Sequence, residues 1–360
     1  MRPLCWIASA TIALFLLGAC ATTSKSPTGQ VAGSPSPRAD VARGDGKTLG
    51  LVKSRGRLVC GVSTGLYGFS AQDSSKGYWG FDVDYCRAIA AAIFGDATKV
   101  EYRPVSTQQR FVALQSGDID LLARNSVWTL ARDGQLGLDF AAVTFFEGQG
   151  FMVREDRHVQ NMRQMPGAKI CVQAGTTTEW NLRDYATKNR IALLPVTFAE
   201  NAQAREAYDA GQCDAYTADA TALAGERTAL ADPAAHAILP ERISKEPLAP
   251  IVRQGDNQWT DIVRWAHFAM LTAEELGITQ ATVEEVRQSS QDFTVQMLLG
   301  SRGDIGRGLG LDNDWAYDII KQVGNYGEVF KRNLTDTVGI ERALNGLWNK
   351  GGLQFSPPIR

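Results

Sequence analysis

Two stretches of the sequence alternate short apolar runs with amphipathic ones, and this alternation restricts the fold more than any other feature. Residues 57–123 predict strand, helix, strand, helix and strand, and residues 169–217 repeat that order. Strands that alternate with helices form βαβ units, so we expect a mostly parallel sheet in each stretch. The predicted strands are 57–62, 100–105, 119–123, 169–173, 191–198 and 213–217, and the predicted helices are 81–94, 108–116, 179–188 and 202–210.

The two stretches also resemble each other in detail. Residues 113–120 (ALQSGDID) match residues 207–214 (AYDAGQCD), because in both a helix ends at a glycine and an aspartate precedes the next strand. The same register sets Asn125 opposite Asp219, each just past the carboxyl end of its strand. Open α/β sheets bind ligands beyond the carboxyl ends of their strands. We therefore expect two similar α/β lobes with a ligand site in the cleft between them.

The remaining segments are expected to connect and cover these lobes. Residues 144–153 would cross from lobe 1 to lobe 2, and residues 247–253 would cross back. The helical stretches 259–276, 281–299 and 314–330 would then pack on lobe 1. This organisation assigns residues 49–150 and 250–360 to lobe 1 and residues 151–249 to lobe 2, which fits a chain of 360 residues.

The first residues have the pattern of an export signal. Arg2 precedes an apolar run over residues 4–17, which is too short for a membrane span of about 20 residues. The run ends in Leu-Gly-Ala-Cys, which resembles a bacterial lipoprotein signal: residues 1–19 would be removed and Cys20 would carry lipid. The alternative is an ordinary signal that leaves Cys20 as a free thiol. Residues 20–48 are rich in Ser, Thr, Pro and Gly, so we expect a flexible tether.

The net charge of −2 argues against a nucleic-acid partner, because no basic excess is available to neutralise phosphates. The three histidines are isolated and show no metal-ligand spacing, so neither a metal nor a cofactor is expected.

Five motifs resemble the periplasmic solute-binding proteins of amino-acid ABC transporters, within them the general L-amino-acid-binding subgroup of family 3. The motifs are GFDVDYCRAIA (80–90), LARNSVWTLAR (122–132), FEGQGF (146–151), QAGTTT (173–178) and GGLQFSPPIR (351–360). The resemblance implies a periplasmic-binding-protein-like fold of type II, with two lobes that close on a ligand. It further implies a monomeric periplasmic receptor without enzymatic activity, which delivers L-amino acids of broad, polar character to an inner-membrane permease.

The resemblance also assigns the groups that hold a zwitterionic ligand. Arg132 would grip the α-carboxylate with two parallel hydrogen bonds, although an arginine beside an aspartate is otherwise most often a solvated surface residue. Thr177 would contact the same carboxylate at a helix N-terminus, with Thr176 or Thr178 as the cap; a plain N-cap is the simpler alternative. Asp219 would hold the ammonium, or merely cap the alanine-rich helix after it. Asn125 would add polar contacts from lobe 1.

Four further residues complete the expected site. Ser126 and Thr129 belong to the same motif as Arg132, and Phe69 and Trp128 would supply aromatic contacts to a varied ligand side chain. For the aromatic residues, local packing is the alternative.

Four cysteines remain after Cys5 and Cys20: Cys60, Cys86, Cys171 and Cys213. An exported protein favours disulfides, and four cysteines allow three pairings. We favour Cys60–Cys86 and Cys171–Cys213, because these leave the lobes free to hinge, whereas the other two pairings would link them.

Two enzymatic readings compete with a receptor. Residues 61–65 (GVSTG) fit the G-x-S-x-G motif of serine hydrolases, but that motif needs a strand-to-helix elbow and a loop is predicted here. The second is an enzyme on the same fold, similar to a cyclohexadienyl dehydratase, which would use a cleft carboxylate as general acid.

Overall fold

The structure, a computed structural model, describes residues 47–75 and 77–360. The expected signal peptide, the lipidation site Cys20 and nearly all of the expected tether lie outside the described residues. In the part of the chain that is described, no helix combines the length and apolarity that crossing a membrane requires.

The secondary structure follows the predicted order. The strands are β1 (Leu58–Val62), β2 (Ala71–Asp73), β3 (Gly77–Trp79), β4 (Val100–Pro104), β5 (Leu121–Leu122), β6 (Leu138–Phe140), β7 (Phe145–Glu147), β8 (Gln149–Arg154), β9 (Lys169–Gln173), β10 (Leu194–Phe198), β11 (Ala215–Asp219), β12 (His236–Ile238), β13 (Glu246–Leu248) and β14 (Ile251–Arg253). The α-helices are α1 (Lys47–Arg55), α2 (Phe81–Phe94), α3 (Arg110–Ser116), α4 (Leu130–Gln135), α5 (Thr177–Asn189), α6 (Asn201–Asp209), α7 (Ala220–Thr228), α8 (Asn257–Glu275), α9 (Val283–Ser289), α10 (Phe293–Leu298), α11 (Ile305–Leu309), α12 (Trp315–Gln322), α13 (Tyr326–Phe330) and α14 (Asp336–Val338).

Two five-stranded sheets form the centres of two lobes. The strand order is β4-β1-β5-β14-β6 in lobe 1 and β10-β9-β11-β8-β12 in lobe 2. Each sheet contains one reversed strand, β14 in lobe 1 and β8 in lobe 2, which pairs antiparallel with both of its neighbours. In both lobes the reversed strand is the one that enters from the other lobe. The identical order confirms the predicted likeness of the two α/β lobes.

The two connections between the lobes lie side by side. Strand β7 pairs antiparallel with β13, so that Glu147 stands opposite Glu246 and Phe145 opposite Leu248. Both connections therefore form one short ribbon, and a ribbon of two strands is a narrow hinge between two larger bodies.

The first helix begins earlier than expected. The tether was predicted to extend to residue 48, but Lys47 and Thr48 already belong to α1, so this boundary was wrong. The Thr48 N–H donates to Asp256 at 2.9 Å, and Leu49 is buried. Contacts with distant residues thus set the start of α1, and local composition does not reveal them.

The C-terminal helices cover lobe 1, where α12 packs on α2 and α8. Two of them are shorter than predicted. The stretch 281–299 divides into α9 and α10, because the Asp292 carboxylate accepts the N–H groups of Thr294 and Val295 and so begins a new helix. The stretch 314–330 divides before Asn325, which caps α13 in a capping box with Glu328.

Both disulfides lie within a lobe. Cys60 of β1 pairs with Cys86 of α2, and Cys171 of β9 pairs with Cys213, which precedes β11. The favoured pairing is confirmed, and neither bridge crosses the hinge.

Candidate functional site

A small cavity lies between the two sheets, where strands from both lobes end. Ser63 follows β1, Asn125 follows β5, Gln173 ends β9 and Asp219 ends β11. The cavity has a volume of about 40 Å³. Its position beyond the carboxyl ends of the strands is the one that open α/β sheets use for ligands. It is lined by Ser63, Arg110, Arg124, Asn125, Val127, Arg132, Gln173, Thr176, Thr177, Thr178, Asn201, Ala218, Asp219 and Ala222.

Lobe 1 contributes three buried arginines to this cavity. Arg132 is 6% exposed and donates to the Val127 carbonyl at 2.8 Å. Arg124 donates to the Val105 carbonyl at 2.9 Å and to the hydroxyl of Thr107 at 3.0 Å. These bonds occupy only part of each guanidinium fork and leave further donors for an anion.

Arg110 is the least satisfied of the three. Its Nη1 lies 3.3 Å from the hydroxyl of Ser126, while its Nε is buried without a hydrogen-bond partner. The aromatic ring of Phe111 lies 4.7 Å from the Arg110 guanidinium carbon and 5.3 Å from that of Arg132, and so helps to hold both cations.

The arginines raise one another's electrostatic energy. Burial lowers the pKa of Arg110 well below its usual range, and the charges of Arg124 and Arg132 lower it further. Burial also lowers the pKa of Arg124 to about 10 and lowers that of Arg132. A cluster of like charges away from water is costly unless anions neutralise it, so this side of the cavity favours a carboxylate.

Lobe 2 presents Asp219 on the opposite side. This residue occupies the N-cap position of α7, but its side chain makes no capping hydrogen bond, and its Oδ1 is buried without a partner. Burial raises the Asp219 pKa well above the ordinary value; nearby Glu147 and Glu246 raise it further, whereas Arg132 and Arg110 lower it. A buried carboxylate with an unpartnered oxygen favours a cation, such as the ammonium of a ligand.

The hinge strands add two glutamates beside Asp219, the buried Glu246 and the half-buried Glu147. Glu246 accepts from Thr177 at 2.9 Å and Asn181 at 2.6 Å, and therefore already has donors of its own. Glu147 accepts backbone N–H groups of Gly148 and Thr221 at 3.3 Å, and burial raises its pKa to about 7. The acidic side of the site thus extends into the hinge ribbon.

The N-terminus of α5 forms another wall. Thr176 is the N-cap and accepts the Glu179 N–H at 3.2 Å. Thr177 begins the helix, but its hydroxyl donates to Glu246 rather than into the cavity. Since first-turn N–H groups of a helix attract anions, this wall complements the arginines across the cavity.

Five of the nine predicted binding residues meet at the cavity: Asn125, Arg132, Thr176, Thr177 and Asp219. Ser126 is buried behind Arg110 and does not line it. Trp128 and Thr129 line a separate, larger hollow, where Trp128 stacks on Phe140 with ring centres 5.6 Å apart.

The expectation for Phe69 is not supported, because its ring is fully buried in the core. It lies 5.4 Å from the ring of Phe145 and 6.0 Å from that of Phe81, and it does not line the cavity. Its aromatic character serves packing, the alternative given above.

Sequence reasoning missed Arg110, Arg124 and Glu246. Arg110 stands four residues before the buried Leu114 on α3, so both share one helix face, and a cation on an apolar face was an available signal. Arg124 lies within the same motif as Arg132. Glu246 carried no local signal, since only the pairing of β7 with β13 brings it to the site.

The geometry does not support a serine hydrolase. After Ser63 the chain continues through turns and the β2–β3 hairpin before α2 begins, so no strand-to-helix elbow forms. His236 and His267 lie away from the cavity, where their Nδ1 atoms are 2.7 Å from the hydroxyls of Tyr208 and Tyr85. Ser63 therefore has no histidine base among the described residues that line the cavity.

Comparison with known proteins agrees with this arrangement. The general L-amino acid-binding periplasmic protein AapJ of Rhizobium johnstonii is 53% identical over 317 residues, which span 87% of this chain and 93% of the relative. The glutamate/glutamine/aspartate/asparagine-binding protein BztA of Rhodobacter capsulatus is 50% identical over 315 residues, again 87% of this chain and 93% of the relative.

A solved structure is also similar over nearly the whole described chain. It is a periplasmic binding protein of an ABC transporter from Brucella ovis with glutathione bound, 53% identical, with a TM-score of 0.85. The match covers 87% of this chain and 99% of that one. Residues 58–282 match the family model of bacterial extracellular solute-binding proteins, family 3. The chain therefore belongs to the family 3 bacterial extracellular solute-binding proteins.

Proposed function

We propose that this protein is the extracytoplasmic substrate-binding component of an ABC importer, and that it captures L-amino acids between its lobes. The observation that carries the proposal is the opposition of charge in the cavity. Three buried arginines of lobe 1 face the Asp219 carboxylate in lobe 2, whose Oδ1 is buried without a hydrogen-bond partner. A free amino acid carries one carboxylate and one ammonium, and it satisfies both sides only when both lobes contact it.

Ligand binding is then coupled to closure of the two lobes about the hinge. A ligand that contacts both lobes stabilises the closed arrangement by its differential affinity for the closed over the open state. The β7–β13 ribbon is the element that bends, and both disulfides lie outside it. A permease in the inner membrane recognises the closed receptor and accepts the amino acid.

The same proposal includes export. The mature chain is periplasmic and begins at Cys20, which carries lipid and tethers the receptor to a membrane. Intact-mass measurement of the purified protein tests this step, because an acylated Cys20 adds the mass of its lipid, whereas a free N-terminal cysteine adds none.

Calorimetry on refolded, ligand-stripped protein against the twenty amino acids tests the ligand class. We expect binding of several polar L-amino acids. Binding of none of them overturns the proposal.

The family likeness also makes a catalytic alternative worth testing, since Asp219 is a buried carboxylate whose pKa is raised, as a general acid requires. Incubation with arogenate, followed for phenylalanine release, distinguishes the two. A receptor releases no phenylalanine, and turnover would replace reversible capture as the function.

A further inference from the structure

A second, larger hollow adjoins the cavity and has no role in the function proposed above. It has a volume of about 810 Å³ and lies between Trp128 and Thr129 of lobe 1 and the α5 side of lobe 2. Ligand pockets commonly measure about 300–1,000 Å³. We refer to it below as the outer hollow.

The outer hollow and the cavity are neighbours. Val127 and Thr177 line both of them. Glu246 also lines the outer hollow, and its carboxylate is held by donors from Thr177, Asn181 and Ser244. A ligand that extends past Val127 and Thr177 therefore lies near the Glu246 carboxylate, which already accepts hydrogen bonds from the protein.

The size of the cavity limits what it holds alone. A buried water needs about 10–15 Å³ of such volume, so 40 Å³ corresponds to about three waters. A space this small leaves room for no more than the head group of an amino acid, an α-carbon with its carboxylate and ammonium. A longer ligand must extend its remainder beyond the cavity.

The outer hollow offers suitable partners for such a remainder. Lys188 and Lys245 line it and are exposed. Within the residues that the structure describes, the ammonium of neither lysine has an ion-pair partner. By contrast, the Glu241 carboxylate accepts from the Tyr185 hydroxyl at 2.8 Å. The charged side chains that line the outer hollow are four basic ones and three acidic ones: Arg163, Lys188, Arg242 and Lys245 against Asp184, Glu241 and Glu246. The lining is therefore basic by one charge, and Trp128, which is 37% exposed, adds an aromatic side chain.

We propose that the outer hollow binds the tail of γ-glutamyl peptides whose glutamyl head occupies the cavity. A γ-linked glutamyl group keeps its α-ammonium and α-carboxylate free, and so presents the same two charges as glutamine. Its side chain continues through an amide toward the outer hollow, where a terminal carboxylate meets Lys188 and Lys245. In an α-linked peptide the α-carboxyl group forms the peptide bond. The ligand then lacks the carboxylate, one of the two charges that the cavity would bind.

This inference rests on the proposed function, and its test separates the two. Calorimetry on ligand-stripped protein compares L-glutamine with two isomers of equal composition, γ-glutamylglycine and α-glutamylglycine. We expect the γ isomer to bind at least about tenfold more tightly than the α isomer, since the clamp loses a charged hydrogen-bonded partner in the latter. Equal affinity of the isomers, or glutamine binding without γ-glutamylglycine binding, overturns the inference and leaves the receptor function intact. Failure of every free amino acid to bind overturns the function itself.

A charge reversal tests the position of the tail. Lys188→Glu should weaken γ-glutamylglycine binding by about threefold or more and leave glutamine binding unchanged. Lys99→Glu makes the same charge change at an exposed position of lobe 1 outside the outer hollow, and serves as the control. If both variants bind γ-glutamylglycine equally, the tail does not lie in the outer hollow.

Discussion

Gly225 of lobe 2 lies against Tyr67 of lobe 1. A Cβ atom placed on Gly225 would stand 3.0 Å from the carbonyl oxygen of Tyr67 and 3.1 Å from its Cβ. In the same loop as Tyr67, the hydroxyl of Thr64 donates to Glu200 of lobe 2 at 3.2 Å. The lobes thus touch beside the cavity, and the absence of a side chain at residue 225 permits the close approach.

We expect Gly225→Ala to oppose closure and so to weaken amino-acid binding by about threefold to tenfold. The added methyl contacts Tyr67 only when the lobes are together. In the open form the substitution replaces a glycine inside α7 with alanine, a better helix former, which stabilises the helix by up to about 1 kcal/mol. Calorimetry should therefore show lower affinity, while thermal unfolding of the ligand-free protein shows no loss of stability.

Gly50→Ala is the matched control, because Gly50 lies within α1 and a Cβ there has no atom within 4 Å. It should raise stability in the same way and leave affinity unchanged. Unaltered affinity in Gly225→Ala would show that this contact does not govern closure.

We expect Asp219 to strengthen ligand binding and to lower the stability of the ligand-free protein. Asp219→Asn keeps the shape but removes the charge that would hold the ammonium, so we expect affinity to fall by about a hundredfold, the equivalent of about 2.7 kcal/mol. The same change removes a buried, partly unpartnered carboxylate, and ligand-free protein should unfold at a higher temperature. Calorimetry and thermal unfolding measure the two effects.

The exposed Asp118→Asn serves as the control and should change neither quantity. Normal affinity in Asp219→Asn would remove this residue from the clamp. Lower affinity together with lower stability would instead indicate a structural role.

The fold was predictable because its signals are local. The helix 81–94 is marked at its C-terminal end by Gly95, which adopts a φ of 63° that other residues rarely take, and its predicted bounds match the structure. The stretch 281–299 was predicted less well, because periodicity continues through Asp292 even though its side chain begins a new helix. A side chain that caps a new helix can be recognised in the sequence only by its residue type, which also occurs inside continuous helices.

The site was predictable in part for a similar reason. Asn125 follows β5 and Asp219 ends β11 in two stretches of matching pattern, so topology alone predicted that both lie at the carboxyl edge of their sheets. Glu246 and Arg110 reach the site through β7–β13 pairing and the burial of one face of α3, which are tertiary events. Phe69 shows the converse, since an aromatic residue in a glycine-rich loop serves core packing as readily as ligand contact.

Arg132→Lys should distinguish a carboxylate clamp from a general positive charge. The guanidinium already donates to the Val127 carbonyl, so it must serve a backbone group and the ligand together, which a lysine ammonium cannot do with the same geometry. We expect amino-acid affinity to fall by about tenfold or more. Arg183→Lys on the exposed side of α5 is the control, and similar calorimetric constants for the two variants would remove Arg132 from the clamp.

The final prediction concerns the pH dependence of stability and follows from Glu147. Its pKa is raised to about 7 from an ordinary 4.5, because burial outweighs the hydrogen bonds that it accepts from Thr221 and Gly148. A carboxyl group with a raised pKa holds its proton more tightly in the folded than in the unfolded chain. Its stabilising contribution is therefore complete below about pH 4.5 and is lost as the pH rises through about 7.

We expect the free energy of unfolding of ligand-free protein to decrease across that range, and Glu147→Gln to make the decrease shallower by up to about 1.4 kcal/mol per pH unit. Asp82, whose pKa burial also raises to about 7, and Asp219 titrate in the same direction, so part of the slope should remain. Urea unfolding at a series of pH values measures the slopes. Glu285→Gln, an exposed position on α9, should retain the full slope, and an equal slope in Glu147→Gln would show that Glu147 does not take up a proton on folding.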